Sequence, residues 1–250
     1  MNWIFLSPHF DDVALSCGGL VWERASTGDT ISIWTVCAGK PPQRELSAYA
    51  QLHHERWATG ALAVEQRRSE DITSCAMINA SYRHFDIPDC IYRPRQKNIP
   101  HYYTSGDDIF GSVHPAEKRN LVRRLTRIFS EQIPPDAQVV CPLALGNHVD
   151  HQITRRAAEQ AAKYLDQALL FYADYPYAAQ HAEQIIRYQQ MRWECVRFDI
   201  SEEGLEAWFA SIAAHRSQIS TFWAKDNQMQ ADIRAYSQLQ KGLCLWKPPK

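Results

Sequence analysis

The sequence predicts an α/β protein: three layers, α/β/α, with a mostly parallel sheet covered by helices and a smaller C-terminal α/β elaboration. Three observations carry this. Over about the first 175 residues, short apolar runs of strand length alternate with longer stretches of helical period, the pattern left by a parallel sheet with crossover helices. Two of those runs end in clusters of histidine and aspartate, where open parallel sheets place their ligands. The composition, 45% hydrophobic and 22% charged over 250 residues, is that of an ordinary globular chain able to bury a sizeable core.

The expected elements follow in order. Residues 3–6 form a first strand. Leu15, Leu20, Val21 and Trp22 support a helix over 13–26, which Gly28-Asp29 ends. Residues 31–36 are a second strand, and 49–79 a helical region divided near Gln66. After a strand at 82–85 comes a polar, proline-bearing stretch, 88–113, expected to be an active-site loop, whose His101 and Tyr102-Tyr103 either line the pocket or cover a core. Leu121, Leu125 and Ile128 share one face of a helix over 115–132, closed by Pro134-Pro135. A strand at 138–141 leads to a helix that Asp150 is placed to cap and that runs to about Leu165, followed by a strand at 169–172. Beyond Pro176 a helix, a strand at 194–199, a helix at 201–220 and a last helix up to Leu239 complete the chain. Residues 1–250 read as one domain, with a core over about 1–175 and an elaboration over about 176–250.

Several function classes are disfavoured. With 27 Lys plus Arg against 28 Asp plus Glu there is no electrostatic footprint for nucleic acid. No stretch approaches the ~20 apolar residues a membrane span requires, and polar residues interrupt the first run too early for a secretory signal, so the expected location is cytoplasmic. The seven cysteines are scattered and lack a Cys-x-x-Cys pair. Reduced, mostly buried thiols are expected, not a disulfide frame, and any metal must rely on His and Asp.

His9-Phe10-Asp11-Asp12 ends the first strand, and His148-Val149-Asp150-His151 follows the fourth. A catalytic zinc takes three ligands from His, Asp and Glu and leaves one position open for water; His9, Asp12 and His151 supply that set. Asp11, left beside the metal, is suited to take a proton from the attacking water. His148 either stabilises the oxyanion or protonates the leaving nitrogen, and Asp150 orients one of the histidines. Singly, such an Asp is usually a helix cap and such a His a satisfied polar residue. Two strand-end clusters together are hard to obtain from caps alone.

Ser7-Pro8-His9-Phe10-Asp11-Asp12 with Leu15 to Gly19, and the later His148-Val149-Asp150-His151, resemble the two motifs of the PIG-L or LmbE-like family of zinc-dependent N-deacetylases. Arg67-Arg68-Ser69-Glu70-Asp71, Asp86-Ile87-Pro88-Asp89 and His215-Arg216-Ser217-Gln218 extend the likeness to about residue 220. The resemblance implies a Rossmann-like sheet, His9, Asp12 and His151 as metal ligands, Asp11 as base and His148 beside the oxyanion. It also implies substrate contacts from Arg68 and Asp89, each with a bland alternative as a solvated helix charge and a turn residue. His215 either approaches the site or packs. Phe10 stands where many members have proline, and Val13 where some have an acidic residue; neither change removes a ligand.

The activity so implied is removal of an N-acetyl group from an N-acetylglucosamine-like sugar conjugate, with Zn2+ or another divalent ion such as Fe2+ as cofactor. The alternatives are an amidase for a larger acyl or thiol conjugate, and a non-catalytic metal- or sugar-binding protein of the same fold. Gly18-Gly19 does not make a dinucleotide motif. The oligomeric state is open.

Overall fold

A computed structural model describes residues 1–57, 60–94, 96–223 and 226–249. Residues 58–59 of the expected helical region and residue 95 of the expected loop lie outside the described residues. The strands are β1 (Asn2–Ser7), β2 (Thr30–Thr35), β3 (Ser81–His84), β4 (Ala137–Pro142), β5 (Leu169–Tyr172), β6 (Glu194–Phe198) and β7 (Leu243–Lys247). They form one sheet in the order β3-β2-β1-β4-β5-β7-β6. The first five are parallel to their neighbours, while β7 runs antiparallel to both β5 and β6.

The central strands are buried on both faces, which is why they read as unbroken apolar runs and not as alternating ones: Phe5, Leu6 and Val140 are wholly inaccessible. Helices Asp12–Ser26, Ala63–Met77 and Glu202–Ala214 pack together as one group, and Pro115–Gln132 packs on Val149–Leu165 as another, so helices flank the sheet. The order of strands fixes the site. From β1 the chain builds outward through β2 and β3, then returns to lay β4 on the other side of β1, with Trp3 in register with Gln138 and Phe5 with Val140. The loops after β1 and β4 therefore leave the sheet side by side at its topological switch point, the crevice where such sheets hold ligands.

Three expectations need correction. The helical region 49–79 is broken earlier than Gln66, into Ala48–Arg56 and Ala63–Met77. The stretch 201–220 is two helices, Glu202–Ala214 and Arg216–Phe222, with His215 between them. Strand β7 was not anticipated: it is five residues, Leu243–Lys247, between Gly242 and Pro248. Its pairing with β6 brings Cys244 to Cys195, Cα atoms 5.5 Å apart, and the two are joined as a disulfide. The thiols of Cys17, Cys37, Cys75, Cys90 and Cys141 are free and buried, as expected.

Gly18 and Gly19 serve packing. A Cβ on Gly18 would sit 2.7 Å from Cδ1 of Trp208, and one on Gly19 2.8 Å from its Cε3. The helix Asp12–Ser26 leaves helical geometry at Cys17, and the fully buried Trp208 indole donates 2.7 Å to the Ala14 carbonyl one turn before that kink. The glycines let the C-terminal elaboration seat an indole against the helix whose first turn carries Asp12. Gly18→Ala is therefore expected to lower the free energy of unfolding by ~1–3 kcal/mol, the range for overpacking a filled core, read from chemical denaturation; an unchanged midpoint would show that Trp208 yields freely.

Candidate metal centre

The loop after β1 turns at once into the helix Asp12–Ser26. Ser7 Oγ accepts the Val13 N–H at 3.3 Å, and the His9 N–H donates 2.7 Å to Asp12 Oδ2, so the turn folds both motif residues back to the same side. Asp11 precedes the helix, but its carboxylate makes no cap bond; Arg67 Nη2 donates to it at 3.3 Å. On the facing loop Ala144, Gly146 and Asn147 all have positive φ. At Gly146 a Cβ would also meet the Tyr177 ring at 2.5 Å, so glycine is required for the chain to turn there and present His148.

The two loops converge as expected. Ligand nitrogens of His9, His148 and His151 lie within 4.8 Å of one another. Asp12 Oδ2 is 3.3 Å from His9 Nδ1 and 3.3 Å from His151 Nε2. The far nitrogen of each of these rings is held by a buried carboxylate: His9 Nε2 lies 3.0 Å from Asp150 Oδ2, and His151 Nδ1 lies 2.6 Å from Asp174 Oδ1. Each ring thus donates outward and turns its other nitrogen toward Asp12, the arrangement that fixes the tautomer of metal-ligating histidines.

Asp12 stands at metal-ligand spacing from both rings, while the groups whose ligand atoms all lie within 4.8 Å of one another among the described residues are His9 with His148 and His151, Cys90 with His148 and Asp150, and His9 with Asp89 and Asp150. Two ligands each ~2.0–2.1 Å from a tetrahedral ion are ~3.3–3.4 Å apart, the separation found between Asp12 Oδ2 and each nitrogen. The electrostatics point the same way. Burial opposes charge on His9, yet Asp89, Asp12 and Asp150 hold it protonated well above its usual range. Burial likewise opposes charge on His151, but Asp12 and Asp174 raise it to about 10. Positive charge is drawn to those two positions, by proton or by metal. His148 behaves oppositely: burial, then His9 and His151, push it down to about 3 and keep it neutral. Its Nδ1 accepts the Asp150 N–H at 3.2 Å, so the neutral ring carries its proton on Nε2 as a hydrogen-bond donor.

That bond also corrects the expected helix cap. His148, not Asp150, caps the helix Val149–Leu165, because the wholly buried Asp150 carboxylate is engaged by Arg93 Nη2 at 2.6 Å, by His9 and by the Cys90 N–H at 3.0 Å. Asp89 caps the turn Cys90–Tyr92 through Oδ1 while Oδ2 lies 3.6 Å from His9 Nε2 and 4.0 Å from Arg67 Nη1. Arg68 is directed elsewhere: its guanidinium donates to the Ala38 carbonyl. It is Arg67 that faces the cluster, buried over Trp57 and Phe10 with no partner for Nε among the described residues.

Other expectations are redistributed. His101 bonds the Glu45 carbonyl, Tyr102 stacks on His114, and buried Tyr103 donates 2.7 Å to Glu117; these contacts fasten the loop. His84 does meet a carboxylate, Asp71, at 2.6 Å, outside the cluster. His215 is buried with both ring nitrogens unbonded among the described residues, while Ser217 donates twice to Glu70. Asp174 and Arg93 were missed, although Asp174 follows β5 as Asp11 follows β1, a signal that was present in the sequence.

The PIG-L family model, described as GlcNAc-PI de-N-acetylase, matches residues 4–162. The 2'-N-acetylparomamine deacetylase of Niallia circulans is 28% identical over 203 residues, covering 72% of this chain and 69% of the relative. That of Streptomyces fradiae is 30% identical over 182 residues, covering 71% of this chain but only 58% of the relative. Among solved structures, the zinc-inhibited form of teicoplanin deacetylase Orf2 has a TM-score of 0.77 at 23% identity, covering 99% of this chain and 97% of that one. N,N'-diacetylchitobiose deacetylase from Pyrococcus horikoshii has a TM-score of 0.56 at 17% identity, covering 99% and 82%. At these identities the structural likeness shows the fold.

The role of Asp174 gives a test of the cation fit. Asp174→Asn keeps the shape but can no longer hold His151 in one tautomer, and zinc affinity measured by chelator competition should fall by about 10–100-fold. Unchanged affinity would remove His151 from the coordination.

Proposed function

We propose, since the chain belongs to the PIG-L family, that it is a metal-dependent hydrolase that removes the N-acetyl group from an N-acetylated amino-sugar conjugate, releasing acetate and a free amine. The single observation that carries this is the pairing of Asp12 with two imidazoles whose outer nitrogens are each tied to a buried carboxylate. His9 Nδ1, Asp12 and His151 Nε2 would hold the cation, most simply zinc. When bound, such an ion polarises the amide carbonyl and lowers the pKa of water to about 7.

The chain's own residues supply the rest. Asp11 is not used as a helix cap, and its carboxylate, which accepts from Arg67 through Oδ1, takes a proton from the attacking water as the carbon–oxygen bond forms. His148, neutral and protonated on Nε2, donates to the oxygen that gains negative charge. When the carbon–nitrogen bond breaks, the proton held by Asp11 passes to the leaving nitrogen. Arg67 and Asp89 bind sugar hydroxyls: Arg67 has an unbonded buried N–H, Asp89 Oδ2 lies between His9 and Arg67 at 3.6 and 4.0 Å, and both border His9 or Asp11. The relatives support the choice of substrate class, both being named 2'-N-acetylparomamine deacetylase.

Two outcomes are expected. Asp11→Asn, loaded with metal to the same content as wild type, should lose about 10²–10⁴-fold in acetate release from N-acetylated amino sugars; equal turnover would remove Asp11 from the mechanism. Arg67→Ala should raise KM by about ten-fold or more, whereas Arg68→Ala should leave it within about two-fold; the reverse order would restore Arg68 as the substrate contact.

A further inference from the structure

The long loop carries one aromatic side chain that is neither buried nor used to fasten the loop. Phe110 is 40% exposed. It stands against His148, ring centroids 5.4 Å apart and planes at 79°, and against Tyr177 at 5.9 Å and 70°. Tyr177 in turn meets His151 at 6.5 Å and 81°. The rings of Phe110 and Tyr177 thus form a steep corner on the flank of the histidine cluster.

The backbone under Phe110 is held from both sides. Ile109 is buried, and the short helix Gly106–Ile109 is capped by Ser105. Asn147, at positive φ on the facing loop, donates to the carbonyls of Phe110 and Gly111 at 2.9 Å each, and Gln152 donates to Gly111 at 2.8 Å. A Cβ on Gly111 would come within 2.6 Å of the Asp107 carbonyl, so the chain passes there without room for a side chain. A large apolar ring left in water on so firmly tied a backbone, next to the loop that presents His148, is the arrangement of a preformed contact surface.

On the function proposed above, we infer that Phe110, with Tyr177 beside it, is a specificity-determining residue: it offers an aromatic face to the second ring of the conjugate, the one attached to the N-acetylated sugar. Sugar rings present an apolar C–H face, and aromatic side chains hold such faces while hydroxyls are bonded around the edge. Arg67 and Asp89 lie on the Asp11 and His9 side of the cluster, and Phe110 and Tyr177 on the His148 and His151 side. The two sets therefore divide the work: the polar pair takes the sugar that carries the amide, and the aromatic pair takes what that sugar is joined to. Tyr102 and Tyr103, the aromatics that the sequence offers more conspicuously, are used within the loop.

The test compares the methyl glycoside of N-acetylglucosamine with an N-acetylglucosamine disaccharide. Phe110→Ala should lower kcat/KM for the disaccharide by about ten-fold, mainly through KM, while changing the methyl glycoside by less than about two-fold; Phe110→Trp should restore the disaccharide. Binding of the deacetylated disaccharide, measured by calorimetry, should weaken in the same proportion and needs no turnover. Equal losses on both substrates would make Phe110 a support for His148, and no loss on either would leave it outside the substrate's path; each overturns the inference. Calorimetric weakening without acetate release from wild type would instead preserve the aromatic platform and refute the hydrolase.

Discussion

Everything in this site depends on an excess of buried negative charge around two imidazoles. Asp11, Asp12, Asp89, Asp150, Asp174 and Glu117 surround the crevice, and among the described residues only Arg67 and Arg93 bring permanent positive charge to them. An unpaired buried charge costs about 3–5 kcal/mol, so protons on His9 and His151, or a cation between them, offset part of the charge the two arginines leave, while burial raises the Asp174 carboxyl. The two histidines are poised for either, which makes the crevice a trap for a divalent ion. His148, whose ring meets His9 edge-on at 4.8 Å and His151 at 5.3 Å, is the one imidazole of the three kept neutral, as a hydrogen-bond donor to a developing oxyanion must be.

Topology explains why so few residues suffice. Parallel pairing of β1 with β4, itself a long-range contact, puts residues 9–12 beside residues 147–151, and β5, next in the sheet, delivers Asp174 from the same carboxyl end. Each strand contributes at its carboxyl end. The glycines after Cys17 belong to the same design at one remove, since they admit Trp208 and so brace the helix on which Asp12 sits.

Much of this was legible in the sequence. The five parallel strands and the meeting of His9, Asp12, His148 and His151 follow from apolar runs and from polar residues at their ends. Arg67 and Arg68 show where reading stops: adjacent residues on a helix point about 100° apart, and only the seating of that helix decides which reaches the crevice. The capping of the helix Val149–Leu165 went astray because a carboxylate at a helix start is ordinarily a cap, whereas Arg93, distant in sequence, claims Asp150 first. Strand β7 and the Cys195–Cys244 link were hidden for a related reason: the antiparallel pairing of the chain's last segment with β5 and β6 is a contact distant in sequence. Within the long loop, burial separates tyrosines that fasten from a phenylalanine that faces outward, and aromatic content alone could not.

The most direct measurement is X-ray absorption at the zinc edge on protein carrying one equivalent of zinc. The account predicts a first shell of nitrogen and oxygen at ~2.0–2.1 Å, multiple scattering from two imidazoles and no sulfur. A sulfur neighbour, fewer than two imidazoles, or failure to retain the ion would contradict it.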